Sequence, residues 1–225
     1  MKVTSILSIV TAIVLGVSMP THAALQNRGT DTLGNRLIYD SDLNITWYDY
    51  TNSTSSSWDY HMNWASALTV NIGGTVYDDW RLPTITIMET PAVHSYGGLT
   101  TFGYNITSSE MGHLFHTELG NLGRYDTSGN DRGAGNRLVN TDPFMHLQPH
   151  YYYSNTGNPN DFWTAVYFNY YSGEQYVAAK LALGGTGLYS MAVRQGNVVP
   201  EPASFAMLLG IGGMLWAGRR FSSLA

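Results

Sequence analysis

Glu110, His113 and His116 recur at every third residue, and all three are residue types that bind metals or move protons. On a helix that spacing sets them near one face, and a carboxylate with two imidazoles is donor chemistry for zinc. No His-Glu-x-x-His motif accompanies them, and the spacing does not single out a further ligand among His94, His146 and His150. A solvated helix face, with Glu110 near the positive N-terminus, is the simpler reading. Asp40-x-Asp42-x-Asn44 alternates oxygen donors as the opening of a calcium loop does. Ile45 stands where that loop needs glycine, and Thr51 where it needs a bidentate acid, so the run reads as a polar hairpin turn. Asp78 and Asp79 are adjacent, and in an extended segment neighbours point to opposite faces, which suits no glycosidase pair. Trp80 and Leu82 are expected in the core, with Arg81 paired to a carboxylate.

The remaining constellation is Asn158-Pro159-Asn160-Asp161 beside Phe162-Trp163, preceded by Tyr151-Tyr152-Tyr153. Saccharide binding uses an aromatic platform for the sugar's C–H face and planar amide or carboxylate groups for its hydroxyls. Asn158, Asn160, Asp161 and Trp163 supply both, although the same residue types are common turn formers. No nucleophile elbow, phosphate loop or dinucleotide glycine pattern is present, so no catalytic residue is expected. No cofactor is expected either, although oxygen-rich loops of this kind can take calcium.

The elements that must hold these residues belong to a chain of 225 residues, 44% hydrophobic and 12% charged. That is ample for a buried core. The absence of cysteine excludes disulfides, thiolate nucleophiles and Cys-ligated zinc or iron–sulfur centres. With only two lysines, Lys2 and Lys180, and a formal charge of −5, the chain has no basic footprint for nucleic acid.

Residues 1–23 read as a signal peptide. Lys2 is followed by an apolar run from Ile6 to Val17, and Thr21-His22-Ala23 ends on the small residue that signal peptidase cleaves after. The C-terminal residues 199–225 are also tripartite: Pro200-Glu201-Pro202, an uncharged stretch from Ala203 to Gly218, then Arg219-Arg220. Sixteen helical residues span about 24 Å, short of the ~30 Å hydrocarbon core, which suits a transient anchor with the arginines held in the cytoplasm. Between these ends, residues 24–198 carry eight basic and fifteen acidic side chains, net −7, and read as one domain.

Within that domain, Leu37–Asp40 and Ile45–Tyr48 form a hairpin across Ser41–Asn44. Ser57 caps a helix carrying Trp58, Met62, Ala65 and Leu68, stopped by Gly73-Gly74. A second helix starts near Ser108 or Ser109, buries Met111, Leu114, Phe115 and Leu119, and closes at Gly120. Residues 123–140 are a long loop. After Pro149 the pattern is strand throughout: Tyr151–Ser154, Phe162–Tyr170, Gln175–Leu183 and Leu188–Arg194. Two helices followed by an antiparallel sheet is α+β.

Two family resemblances sit on these residues. The C-terminal order of Pro200-Glu201-Pro202, apolar helix and Arg219-Arg220 resembles the PEP-CTERM sorting signal of Gram-negative bacteria, which implies processing by the membrane protease exosortase. Arg36-Leu-Ile-Tyr-Asp40, Asn44–Trp47, Asp78-Asp-Trp-Arg-Leu-Pro-Thr84, Ser109–Leu114 and Ala192-Val-Arg194 are similar to the DUF1566 family, named for the C-terminal domain of a Legionella collagen-like adhesin. That resemblance implies a C-type-lectin-like α+β fold and adhesion or carbohydrate binding without established catalysis. Asn158–Asp161 is likewise similar to the sugar-binding loop of calcium-dependent C-type lectins. Together they imply an exported protein, briefly anchored in the inner membrane, then displayed at the cell surface or in the extracellular matrix. Its partners would be signal peptidase, exosortase, and exopolysaccharide or cell-surface glycans. A purely structural matrix protein without a ligand, or a hydrolase of envelope polymers, are the alternatives.

Overall fold

The computed structural model describes residues 25–89, 93–181 and 187–198. The proposed cleavage point at Ala23 and the sorting residues Pro200, Glu201, Pro202, Arg219 and Arg220 lie outside the described residues.

The described residues open with three consecutive strands, β1 (Leu25–Thr30), β2 (Arg36–Asp40) and β3 (Ile45–Asn52). The expected hairpin pairs β2 with β3, from Leu37 opposite Tyr48 to Asp40 opposite Ile45. Asp40 closes its turn, because Oδ1 accepts the Asp42 and Leu43 N–H groups at 3.1 and 3.0 Å. Asn44 sits at φ +52°, a conformation that asparagine tolerates better than most residues. The last strand, β11 (Ser190–Gln195), returns to pair with β3, giving an antiparallel sheet of order β1-β2-β3-β11.

Helix α1 (Trp58–Ser66) starts where Ser57 caps it, Oγ accepting the Tyr60 N–H at 3.2 Å. It ends seven residues before Gly73. Val70 and Ile72 are apolar and two apart, and they form β4 (Val70–Ile72) against β5 (Thr75–Tyr77). Gly73 and Gly74, at φ +58° and +90°, therefore make a hairpin turn and do not stop the helix.

The second sheet has the order β6-β7-β10-β9-β8, from β6 (His94–Ser95), β7 (Phe102–Tyr104), β8 (Tyr151–Gly157), β9 (Thr164–Asn169) and β10 (Glu174–Ala179). Only the β6–β7 pair is parallel. β9 begins at Thr164 because Phe162 and Trp163 belong to the turn before it. β10 ends at Ala179, and the far end of the strand expected there lies outside the described residues.

Ser109 caps α2 (Glu110–His113) by accepting the Gly112 N–H at 3.2 Å, and its hydroxyl donates to buried Gln175 of β10 at 2.7 Å. The helix continues as a π-helical turn, Leu114–Glu118, in which the Leu119 N–H reaches the Leu114 carbonyl five residues back. Met111, Leu114, Phe115 and Leu119 are all buried, as the apolar spacing requires. Residues 123–140 contain no named strand and are braced by an Arg124–Asp131 ion pair at 2.9 Å.

Neighbouring strand residues feed two separate cores. Ile38, Trp47, Tyr152, Val166 and Val193 belong to one cluster, while Leu37, Tyr48, Tyr153, Ala165 and Ala192 belong to the other. Because successive side chains leave opposite faces of a strand, these strands are covered on both sides. That explains their nearly unbroken apolar sequences. The architecture of the described residues is α+β, with two short helices and mostly antiparallel sheets. No helix among the described residues is long and apolar enough to cross a membrane.

Candidate functional site

The turn between β8 and β9 carries the residues expected to bind saccharide. Asn158 holds the turn together: its N–H reaches the Thr164 carbonyl at 3.0 Å and its Nδ2 donates to Thr164 Oγ1 at 2.8 Å. Its Oδ1 accepts the Asn160 N–H at 3.0 Å, and Asp161 Oδ1 accepts the Trp163 N–H at 3.0 Å. These are side-chain-to-backbone turn bonds, so Asn158 and one oxygen of Asp161 are already engaged. Asn160 and Asp161 are nevertheless at the surface.

What the turn displays is aromatic. Phe162 is 76% exposed and Trp163 is 69% exposed, with rings meeting edge-to-face at 5.5 Å. Lys180, just after β10, places Nζ 4.8 Å from the Phe162 ring centre and 4.6 Å from that of Trp58 at the start of α1. Its backbone is fixed from both sides, since the Lys180 N–H bonds to the Trp163 carbonyl and the Trp58 N–H bonds to the Lys180 carbonyl. Two rings, an ammonium, a carboxylate and an amide thus share one rim of the molecule.

Two concavities lie along the outer strand β8. A groove of about 450 Å³ is lined by Ser53, Ser55, His150, Tyr151, Leu188 and Tyr189, and in it the His150 and Tyr189 rings stack at 3.8 Å. A smaller cleft of about 190 Å³ lies among Tyr104, Arg124, Tyr151, Asn169, Tyr171 and Glu174. Tyr151 forms a wall of both. Neither concavity is legible in the sequence, because each joins residues far apart in the chain.

Neither reading of the second helix holds as the sequence suggests it: Glu110, His113 and His116 meet separate partners, and their face is largely packed, not solvated. Glu110 lies in a bidentate pair with Arg81, His113 contacts Glu118, and His116 Nδ1 lies 3.3 Å from the Asn121 carbonyl. Burial pushes the His116 pKa down to about 4. His94 contacts Glu174, His146 Nδ1 meets the Asp49 carbonyl, and His150 stacks on Tyr189, so each has a separate partner. Asp40-x-Asp42-x-Asn44 is a hairpin turn, as the simpler reading requires. Trp80 and Leu82 are buried, and Arg81 has its carboxylate in Glu110.

One arrangement has the look of a nucleophile beside a base. His61 Nδ1 lies 2.8 Å from Ser190 Oγ. Both residues have no exposed surface, and burial pushes the His61 pKa down to about 4. The pair is closed to substrate as the chain stands and packs α1 against β11.

Searches against protein-family models, curated proteins and solved structures return no match for this chain.

Proposed function

We propose that the chain is an exported, exosortase-processed surface or matrix protein whose α+β body is a non-catalytic, lectin-like module that binds saccharide. The observation that carries this reading is the ring pair Phe162–Trp163, exposed to solvent on a turn braced by side-chain hydrogen bonds of Asn158 and Asp161. Exposing two large rings forgoes about 1.5–3 kcal/mol of burial each, which calls for a ligand with its own apolar face. The C–H face of a pyranose is such a ligand, and its hydroxyls suit Asn160, Asp161 and the Lys180 ammonium at the rim. The body's net charge of −7 favours neutral polymers over sulfated ones.

A few stacked rings and neutral hydrogen bonds, each contributing about 0.5–1.5 kcal/mol, give single-site affinities on the order of millimolar to micromolar. Many copies on one surface would convert that to firm adhesion. Export and sorting rest on the signal-like N-terminus and on the Pro200-Glu201-Pro202, apolar helix and Arg219-Arg220 order.

A glycan array probed with the purified protein, with and without calcium, tests the binding claim. Saturable binding lost in Trp163→Ala supports it, and binding to no glycan on the array overturns it. Mass spectrometry of surface-localised protein tests the sorting claim, because an intact Ala225 there rules processing out.

A further inference from the structure

Asp40 ends β2, His113 ends α2 and Glu118 ends the π-helical turn, and the three bring one ligand atom each to within 4.8 Å of one another. Asp40 is completely buried, and the Glu118 and His113 side chains are 5% and 16% exposed. His113 Nε2 lies 2.9 Å from Glu118 Oε1. Asp40 Oδ1 serves the hairpin turn, while Oδ2 has only a long 3.5 Å approach from Trp47 Nε1. The second Glu118 oxygen accepts no hydrogen bond among the described residues and keeps some access to solvent.

These distances fit an ion. Ligand atoms ~2.1 Å from a metal lie about 3 Å apart when adjacent and about 4.2 Å apart when opposite. The His113–Glu118 separation of 2.9 Å already matches one such edge, and Asp40 lies within 4.8 Å of both, near the spacing of opposite ligands. Two carboxylates facing one another with little access to water repel, and a cation between them removes that cost.

The backbone is built for this meeting. In an α-helix, residues five apart are about 140° apart around the axis and do not touch. The wider π-helical turn brings His113 and Glu118 together, and such turns recur at functional sites.

We propose that Asp40, His113 and Glu118 bind one divalent first-row transition ion, of the zinc or manganese kind, which pins the β2–β3 hairpin to the α2 helix. One imidazole and two carboxylates suit those ions, whereas calcium takes six to eight oxygens. Water on the open side of His113 completes the coordination. The site is independent of the aromatic rim.

The test uses untagged, full-length protein stripped with a chelator, then titrated calorimetrically with Zn²⁺, Mn²⁺ and Ca²⁺, with melting followed in parallel. The expected result is one Zn²⁺ or Mn²⁺ per chain and a raised melting temperature, with no comparable effect of Ca²⁺. Glu118→Gln and His113→Gln should each weaken binding by at least about a hundredfold, since loss of even an outer-shell partner costs ten- to a hundredfold. Asp40→Asn should do the same while retaining an oxygen for the hairpin turn. A native circular-dichroism spectrum for each variant separates ligand loss from unfolding. No saturable uptake of Zn²⁺ or Mn²⁺ overturns the site, as does uptake unchanged in folded Glu118→Gln. Preference for Ca²⁺ overturns the ion class.

Discussion

The Arg81 guanidinium lies flat against the Glu110 carboxylate, with Nη1 2.8 Å from Oε2 and Nη2 2.6 Å from Oε1. Glu110 Oε2 also accepts the Thr84 N–H at 2.6 Å, and the Arg81 backbone exchanges two hydrogen bonds with Val193 of β11. One pair therefore joins the Trp-Arg-Leu-Pro-Thr segment, the start of α2 and the first sheet.

Glu110→Gln keeps the size of the side chain but removes the charge from this fork. We expect a stability loss of about 2 kcal/mol, the scale of a charge-assisted hydrogen bond in a partly buried pair. Arg81→Lys should cost a similar amount, because an ammonium cannot make the two-pronged contact. Urea denaturation of both variants measures it, and an unchanged midpoint would show that the fork is dispensable.

Acid should weaken the fold through its buried histidines. Burial lowers His61 and His116 from the ordinary 6.5 to about 4. Between those values the unfolded chain binds protons that the folded chain refuses, so stability rises with pH. Each histidine contributes on the order of 3 kcal/mol that is present above pH 6.5 and is progressively lost as pH falls towards 4. Melting temperatures from pH 7.5 to 4 should fall, and His61→Gln should flatten the slope. A flat profile contradicts the burial argument.

The aromatic rim separates binding from stability. Trp163→Ala should change stability by less than about 0.5 kcal/mol, since the ring is mostly exposed, yet remove saccharide binding. Asn158→Ala should do the opposite first: loss of its turn bonds costs about 1 kcal/mol. Equal stability losses in the two variants would mean that the rings are structural.

Gly112 is irreplaceable for a spatial reason. A Cβ there would lie 2.1 Å from the Ile106 carbonyl oxygen, which is backbone and cannot move aside cheaply. Gly112→Ala should cost about 3 kcal/mol or more, read as a large drop in melting temperature.

Local chemistry was legible in the sequence wherever it was local. The Ser57 and Ser109 caps, the hairpin through Asp40–Asn44 and the buried stripe from Met111 to Leu119 follow from spacing and turn residues. β1 escaped notice because Gln26, Asn27 and Arg28 carry no apolar alternation, and β6 because it is two residues long. Gly73-Gly74 is ambiguous in sequence because a glycine pair serves a helix end and a hairpin equally well. Asp40 and His113 belong to separate metal-like patterns in the sequence. Glu118 completes their cluster only because the helix widens after His113, and a periodicity of 3.6 does not foresee that.

Lys180, the only lysine among the described residues, has a practical consequence. An amine-reactive dye would label one side chain of this body, within about one ring's width of Trp58 and Phe162 and beside Trp163. Indole rings quench many fluorophores on contact, so a probe on Lys180 would brighten when a ligand displaces it from the rings. The molecule carries its own attachment point for an optical sensor.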